Sequence, residues 1–353
     1  MIMPVITEKW TKELVQAHAQ TAVKVELYTL PFYLTALTSI QEPSTYAYKS
    51  LLSICIEEML HLQLAANLCL ALDTQPEFTA PQYDGTAIPF LDPKNPDTGH
   101  YKLINAKLDA LNAETLDLML DIETPSGLEP HRHPAKGISK IIDWEEASAE
   151  KIWQFSHHST PVYPYDTIGE MYDALIAGIH HVGIDQFSWD DEKKSQNRNQ
   201  QVIWDQEKES FKQQITSYED AQDAVKTISY QGEGTTTGED RYAVPPHYRL
   251  EAESDDAHGL NEYSHYERLL EIKQQGLPKI YATNNQLENQ QAQAVALEEL
   301  QSNFANLLNE LNSIWAGHSK NLDDFWATMT DRENGTIVKA RNCWKAGVIP
   351  KWS

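Results

Sequence analysis

The sequence predicts an all-α chain: a four-helix bundle with long crossover insertions and an additional C-terminal helix. Three observations predict it. Apolar residues return at spacings of three and four over several long stretches, while β signals are weak throughout. Two long helical patterns open the chain and are joined by a short loop, as in an antiparallel pair. A proline-broken segment at 73–165 then separates them from the next helical pattern, too long for a tight turn.

The first helix is expected over 7–40, with Thr7 as N-cap and an apolar stripe through Leu14, Val15, His18, Ala22, Val25, Leu27 and Leu30. Pro31 falls inside this pattern and predicts a kink or a break there, because it removes a backbone donor. Pro43 and Ser44 open a second helix to about Leu72, apolar around most of its circumference and therefore expected inside the bundle. The crossover carries one short helix, near 103–121, ended by the run IETPSG. The third bundle helix is expected from Asp166 to Val182, with Ile168, Met171, Tyr172, Leu175, Ile176 and Ile179 as its stripe. The polar segment 184–215 reads as surface, and a helix at 219–230 ends in the loop QGEGTTTGED. The fourth bundle helix is expected from Asn261 to Gln275, with Gly276 just past its end. A polar helix over 285–316 repeats Leu297, Leu300, Phe304, Leu307, Leu311 and Ile314. The division is thus a bundle at 1–280, with insertions at 73–165 and 184–255, and a helical extension at 281–353 packing on the bundle or a partner. The tail after Gly335, with Trp344 and Trp352, has no assigned structure at this stage.

Composition narrows the function. Lys and Arg number 28 against 52 Asp and Glu, a formal net charge of −24. Phosphate backbones and anionic membrane surfaces repel such a chain, so no nucleic acid and no membrane partner is expected. The three cysteines, Cys55, Cys69 and Cys343, form no Cys-x-x-Cys pair and no even framework. They fit a reducing compartment. The N-terminus has no signal-peptide core, and no run of about 18 uncharged apolar residues is evident. Together these lead to the expectation of a cytoplasmic protein.

Of thirteen histidines, two follow a glutamate by three residues: Glu58-Met-Leu-His61 and Glu262-Tyr-Ser-His265. Residues three apart on a helix share a face, so each pair can aim two ligands at one point. Glu58 lies among Ile54, Met59, Leu60 and Leu62, where an unpartnered carboxylate is costly. Glu26 and Glu170 stand on the other two expected bundle helices. The resulting order of Glu, Glu-x-x-His, Glu, Glu-x-x-His is the ligand inventory of dinuclear carboxylate proteins built on helix bundles. Four carboxylates and two imidazoles suit two metal ions, iron or manganese or a mixed pair, and leave positions open for oxygen or substrate.

Each residue also has a plainer reading. Glu26 reads as a solvated residue beside Lys24, and His61 as a core histidine. Glu170 completes a capping-box pattern with Thr167. Glu57 reaches His61 at four residues' spacing and reads as lying beside the site or at the surface. Tyr33, seven residues after Glu26 and on its face, is a candidate redox-active or proton-donating tyrosine, or a core aromatic. Cys55 reads as core, and Asp173 as a partner for a histidine. His180 and His181 are too far along their helix to share Glu170's metal; His157, His158 and the HRH at 131–133 fall in expected loop.

The segments VKVELYTLPFYLTAL, IEEMLHLQLAANL, YDTIGEMYDALI, QGEGT and NEYSHYERLLEI, in this order over about residues 10–275, resemble the ferritin-like family of iminophenyl-pyruvate dimer synthase-like proteins. That family is related to the larger enzymes that couple two indole-pyruvate imines in violacein and rebeccamycin biosynthesis. The resemblance implies a ferritin-like four-helix bundle with metal ligands at Glu26, Glu58, His61, Glu170, Glu262 and His265. The expected function is a dinuclear non-haem metal oxidoreductase using O2 or peroxide on a small organic substrate, an amino-acid-derived imine in secondary metabolism being one such. Iron binding with ferroxidase activity, or a metal-free scaffold, are the alternatives. Because a storage cage needs compact subunits, the insertions favour a monomer or small homo-oligomer with a pocket walled by both insertions.

Overall fold

Helix α1 (Lys12–Ser39) packs along α2 (Tyr46–Ala71), and the chain then crosses through a short helix, α3 (Ala113–Ile122), to α4 (Ile168–Val182) and α5 (Tyr218–Gly232). In this computed structural model the described residues are 5–6, 9–83, 106–125, 162–163, 167–189, 199–202, 213–236, 241–250, 260–283, 290–318 and 322–353. The HRH at 131–133, His157, His158 and Thr7 lie outside them. Helices α1 to α6 each begin on a Thr, Asn or Ser whose side-chain oxygen accepts an N–H of the first turn, Thr11 for α1 and Thr167 for α4. Such caps contribute about 1 kcal/mol apiece.

The ring of helices closes differently from the sequence expectation. α2 packs on α5, α5 on α4, and α4 on α1, so the fourth wall is the helix at 218–232. Its inner stripe includes Ala221, Ala224, Val225 and Ile228, and the small alanines permit close packing. The helix expected as fourth wall, α6 (His265–Gln275), instead packs on α2 and α3 outside that ring.

Pro31 does not break α1, which runs through it as one helix. A proline in a helix interior costs about 3 kcal/mol. Here every residue from Val25 to Tyr33 is buried, and that packing outweighs the lost donor. α2 is long and apolar enough to cross a membrane by length and composition, although Glu57 and Glu58 interrupt its apolar run, and 89% of its most apolar window is buried inside the protein. Other helices cover that surface.

After α6 the chain forms α7 (Gln290–Trp315), α8 (Asp323–Thr330) and α9 (Thr336–Lys345). The tail left unassigned from sequence is therefore helical, and α9 packs directly on α1. The Trp344 indole N–H donates to the carbonyl of Thr35 at 2.9 Å, and that of Trp352 to the Thr35 hydroxyl at 2.8 Å. Between α1, α2 and this extension lies an apolar cavity of ≈ 240 Å³, lined by Leu27, Leu30, Leu52, Cys55, Phe304 and Trp326 among others. The described residues also include two short antiparallel pairs: β1 (Val5–Ile6) with β2 (Val162–Tyr163), and β3 (Thr235–Thr236) with β4 (Tyr242–Ala243).

Candidate metal centre

Four of the six expected ligands meet in the interior of the bundle. Glu26 on α1, Glu58 and His61 on α2, and His265 at the first position of α6 are all at most 2% exposed. His61 Nδ1 stands 3.6 Å from Glu58 Oε1 and 3.8 Å from Glu26 Oε2. His265 Nδ1 stands 2.9 Å from the same Glu58 oxygen, and the two imidazoles stack with centroids 5.2 Å apart. One ligand atom each from Glu58, His61 and His265 lies within 4.8 Å of the others, close enough to hold a metal ion. Lys24 is exposed, so Glu26 is not its surface partner.

Glu170 and Glu262 are placed elsewhere. Glu262 lies on a 3-10 turn before α6, with its side chain 55% exposed and 3.3 Å from Arg249. Ser264 caps α6, so Glu262 and His265 never share a helical face. Glu170 is half-buried on the first turn of α4, and its N–H donates to Thr167 Oγ1 at 3.2 Å, one half of the capping pattern. Asp173 stands with Glu170 and Glu233 rather than beside a histidine. Burial, and then the charge of Glu233 and of Glu170, push its carboxyl well above the usual range.

Two glutamates that sequence reasoning passed over come to the site instead. Glu123 is the C-cap of α3 and Glu233 the C-cap of α5, and both are buried. With Glu26, Glu58 and His61 they line one small cavity of ≈ 10 Å³. Four carboxylates and one imidazole thus line this cavity, and Glu123 and Glu233 reach it although Glu170 and Glu262 do not. The first insertion supplies Ile122 and Glu123 to the cavity wall, and the second Ile228, Ser229, Gly232 and Glu233.

Glycines make the room. A Cβ on Gly169 would sit 2.8 Å from Glu233 Oε1, and one on Gly232 would sit 3.1 Å from Glu123 Oε2. Gly169 also gives its N–H to Glu233 Oε1 at 2.8 Å. That carboxylate therefore rests on the positive N-terminus of α4.

The cluster is held from outside by neutral donors and by two kinds of histidine partner. Tyr33 donates to Glu123 Oε1 at 2.5 Å and Tyr172 to Glu26 Oε1 at 2.6 Å, while Thr29 bonds Glu58 Oε2. Tyr33 is thus tied to the site and is not only a core aromatic. His61 Nε2 meets Gln231 Oε1 at 2.9 Å, and the Gln231 amide N–H donates to the Tyr248 carbonyl at 2.6 Å. That second bond fixes which end of the amide faces His61, so Nε2 carries the proton. His265 Nε2 meets Glu57 Oε2 at 3.1 Å, and a carboxylate can only accept. Glu57 is in turn bonded by the buried Arg268, which also donates to Ser53 Oγ at 2.7 Å. Both rings therefore turn Nδ1 inward.

Burial pushes the Glu26 carboxyl well above its usual range, and the charge of Glu58 adds to that; a bond from Tyr172 opposes both. Burial acts on Glu58 in the same direction, but the adjacent imidazoles of His265 and then His61 outweigh it and bring its carboxyl below the usual range. His265 is held well above the ordinary imidazole range, its own burial being overcome by Glu123 first and then by Glu57 and Glu58. Protons here compensate charge that a cation would otherwise compensate.

A metal fits these residues. His265 Nδ1 is buried and makes no hydrogen bond, although Glu58 Oε1 is close. The nearby carboxylate lies off the line a proton would take. Oxygen and imidazole donors without thiolate suit iron or manganese.

A family model described as Ferritin-like matches residues 19–274. The crystal structure of a ferritin-like protein from Caulobacter vibrioides is similar to this chain with a TM-score of 0.67 and 26% identity, covering 98% of this chain and 100% of that one. No curated protein matches.

Proposed function

Since the chain belongs to the ferritin-like family, we propose that it is a dinuclear non-haem metal oxidoreductase, with iron as its metal, that uses O2 or peroxide on a small organic substrate. The observation that carries this reading is the convergence of His61 and four buried carboxylates on one small cavity, with His265 Nδ1 turned onto Glu58 beside it. Burial and mutual repulsion make carboxylates gathered this closely costly, and divalent metals would supply neutralising charge. The resemblance to iminophenyl-pyruvate dimer synthase-like proteins extends the proposal to an amino-acid-derived imine as substrate, and the insertions to a monomer or small oligomer.

Glu26, Glu58, His61, Glu123, Glu233 and His265 would hold the metals. When bound, these would supply redox equivalents and sites for oxygen. The chain's own residues set the conditions. Tyr33 and Tyr172 keep their protons, because burial and the adjacent Glu123 and Glu26 raise both phenols well above the ordinary range. They donate hydrogen bonds that fix one oxygen of each carboxylate and leave the other free to ligate. Tyr33 also holds a proton at Oη, 2.5 Å from Glu123 Oε1. Ile122, Ile168 and Ile228 line the cavity and limit water there. Elemental analysis of protein purified without added metal, with an oxygen-consumption screen, tests the reading. Two equivalents of iron with substrate-dependent oxygen uptake support it, and protein that takes up no iron on reconstitution overturns it.

A further inference from the structure

The two histidines are held by partners of different chemistry. The acceptor on His61 Nε2 is a neutral amide, Gln231, anchored on a backbone carbonyl. The acceptor on His265 Nε2 is the carboxylate of Glu57, itself bound by Arg268, and all three side chains are at most 1% exposed. Glu57 turns away from the cavity that Glu58 lines, and its oxygen faces Nε2, the ring nitrogen of His265 opposite the one aimed at Glu58. We propose that Glu57 and Arg268 are a positioning pair that makes His265 the stronger of the two histidine donors. Resting on the metal-centre reading above, it deepens that reading by making the two histidine ligands unequal.

The physical chain is short. A hydrogen bond from Nε2–H to an anion draws the proton outward and raises electron density at Nδ1, more than a bond to an amide does. Arg268 serves that role by pairing with the Glu57 carboxylate and holding it against Nε2. Its guanidinium also bonds Ser53 on α2 and the Ser264 carbonyl at the start of α6. The same side chain thereby locks the end of α6 from which His265 projects against the helix that carries Glu58 and His61. The sequence places Arg268 three residues after His265 and Glu57 one before Glu58, so both are carried by the elements that carry the ligands.

The test is a titration of the metal-free protein with cobalt(II), read by absorbance and calorimetry. The double variant Glu57→Leu with Arg268→Met removes both charges together, a replacement that buried ion pairs commonly tolerate. Circular dichroism checks that it folds. Its tightest cobalt step should weaken by ~10–100-fold, the usual effect of losing a partner of a metal-bound histidine. Gln231→Leu should weaken cobalt binding by less. Should the double variant not fold, Glu57→Gln, which keeps an acceptor and removes the charge, takes its place with the same expected direction. The proposal is overturned if the folded variant binds cobalt within about two-fold of the wild type, or if Gln231→Leu costs as much as the charge removal. A wild-type protein that binds no cobalt defeats the metal-centre reading itself, a distinguishable result.

Discussion

The donors of the site fall into two groups that the chain makes in different ways. Glu26, Glu58 and His61 project from the middles of long helices, while Glu123, Glu233 and His265 project from helix ends. A mid-helix donor inherits its direction from the helix that carries it. A helix-end donor takes its direction from how that end docks. The two end glutamates also oppose their own helices: each caps a C-terminus, where the helix dipole favours a cation. Glu170, by contrast, sits in the first turn of α4, where the dipole welcomes an anion. A glutamate that works against its helix needs another reason to be there, and the cavity supplies one.

The sharpest way to break this comparison is to remove a mid-helix donor. Glu58→Ala should abolish stoichiometric metal binding, counted by elemental analysis. The metal-free fold should melt lower, since His265 and His61 lose a buried anionic partner. Next, Glu123→Gln and Glu233→Gln should each weaken metal binding by at least ~10–100-fold in a cobalt titration, while Glu170→Gln and Glu262→Gln leave it unchanged. The opposite ranking would return the site to the ligands expected from sequence.

A milder perturbation is Gly169→Ala. Its new Cβ would meet the Glu233 carboxylate at 2.8 Å. Metal affinity should drop several-fold, even though alanine favours the helix by about 0.5–1 kcal/mol. Calorimetry and a thermal melt on the same sample separate the two effects.

The smallest effect is on stability against pH. For metal-free protein the raised groups, Glu26 and His265, contribute stability that is lost as pH rises above 4.5 and 6.5 respectively, through their folded pKa values. Glu57 and Glu58 are lowered, and their contribution is lost as pH falls below 4.5. Metal-free protein should therefore melt several degrees lower at pH 8.5 than at pH 6, and metal should remove most of that difference. Equal melts in metal-free protein would contradict the sign derived for His265.

The same division explains what was legible in the sequence. The helices α4 and α7 show through their apolar periodicity, and α1 and α2 through long, largely apolar stretches that carry Glu26, Glu58 and His61. His265 was found through its spacing from Glu262, although that spacing is not what positions it: Ser264 starts the helix between them. Glu123 and Glu233 stand in IETPSG and QGEGT, which read as a helix end and a loop, because nothing local says what a cap will touch. The helix at 219–230 was itself legible, but its place as the fourth wall was not, because nothing local says which helices it will pack between.

The anchoring of Trp344 and Trp352 on Thr35 bears on how the molecule is made. These contacts span 309 and 317 residues, and Thr35 is two residues from Tyr33. A ribosome has to synthesise nearly the whole length described here before that face of α1 can be covered. Contacts so distant in sequence form late and carry a loop-closure penalty. Until then an apolar first hairpin waits with one flank open, which makes it a natural client for chaperones during synthesis.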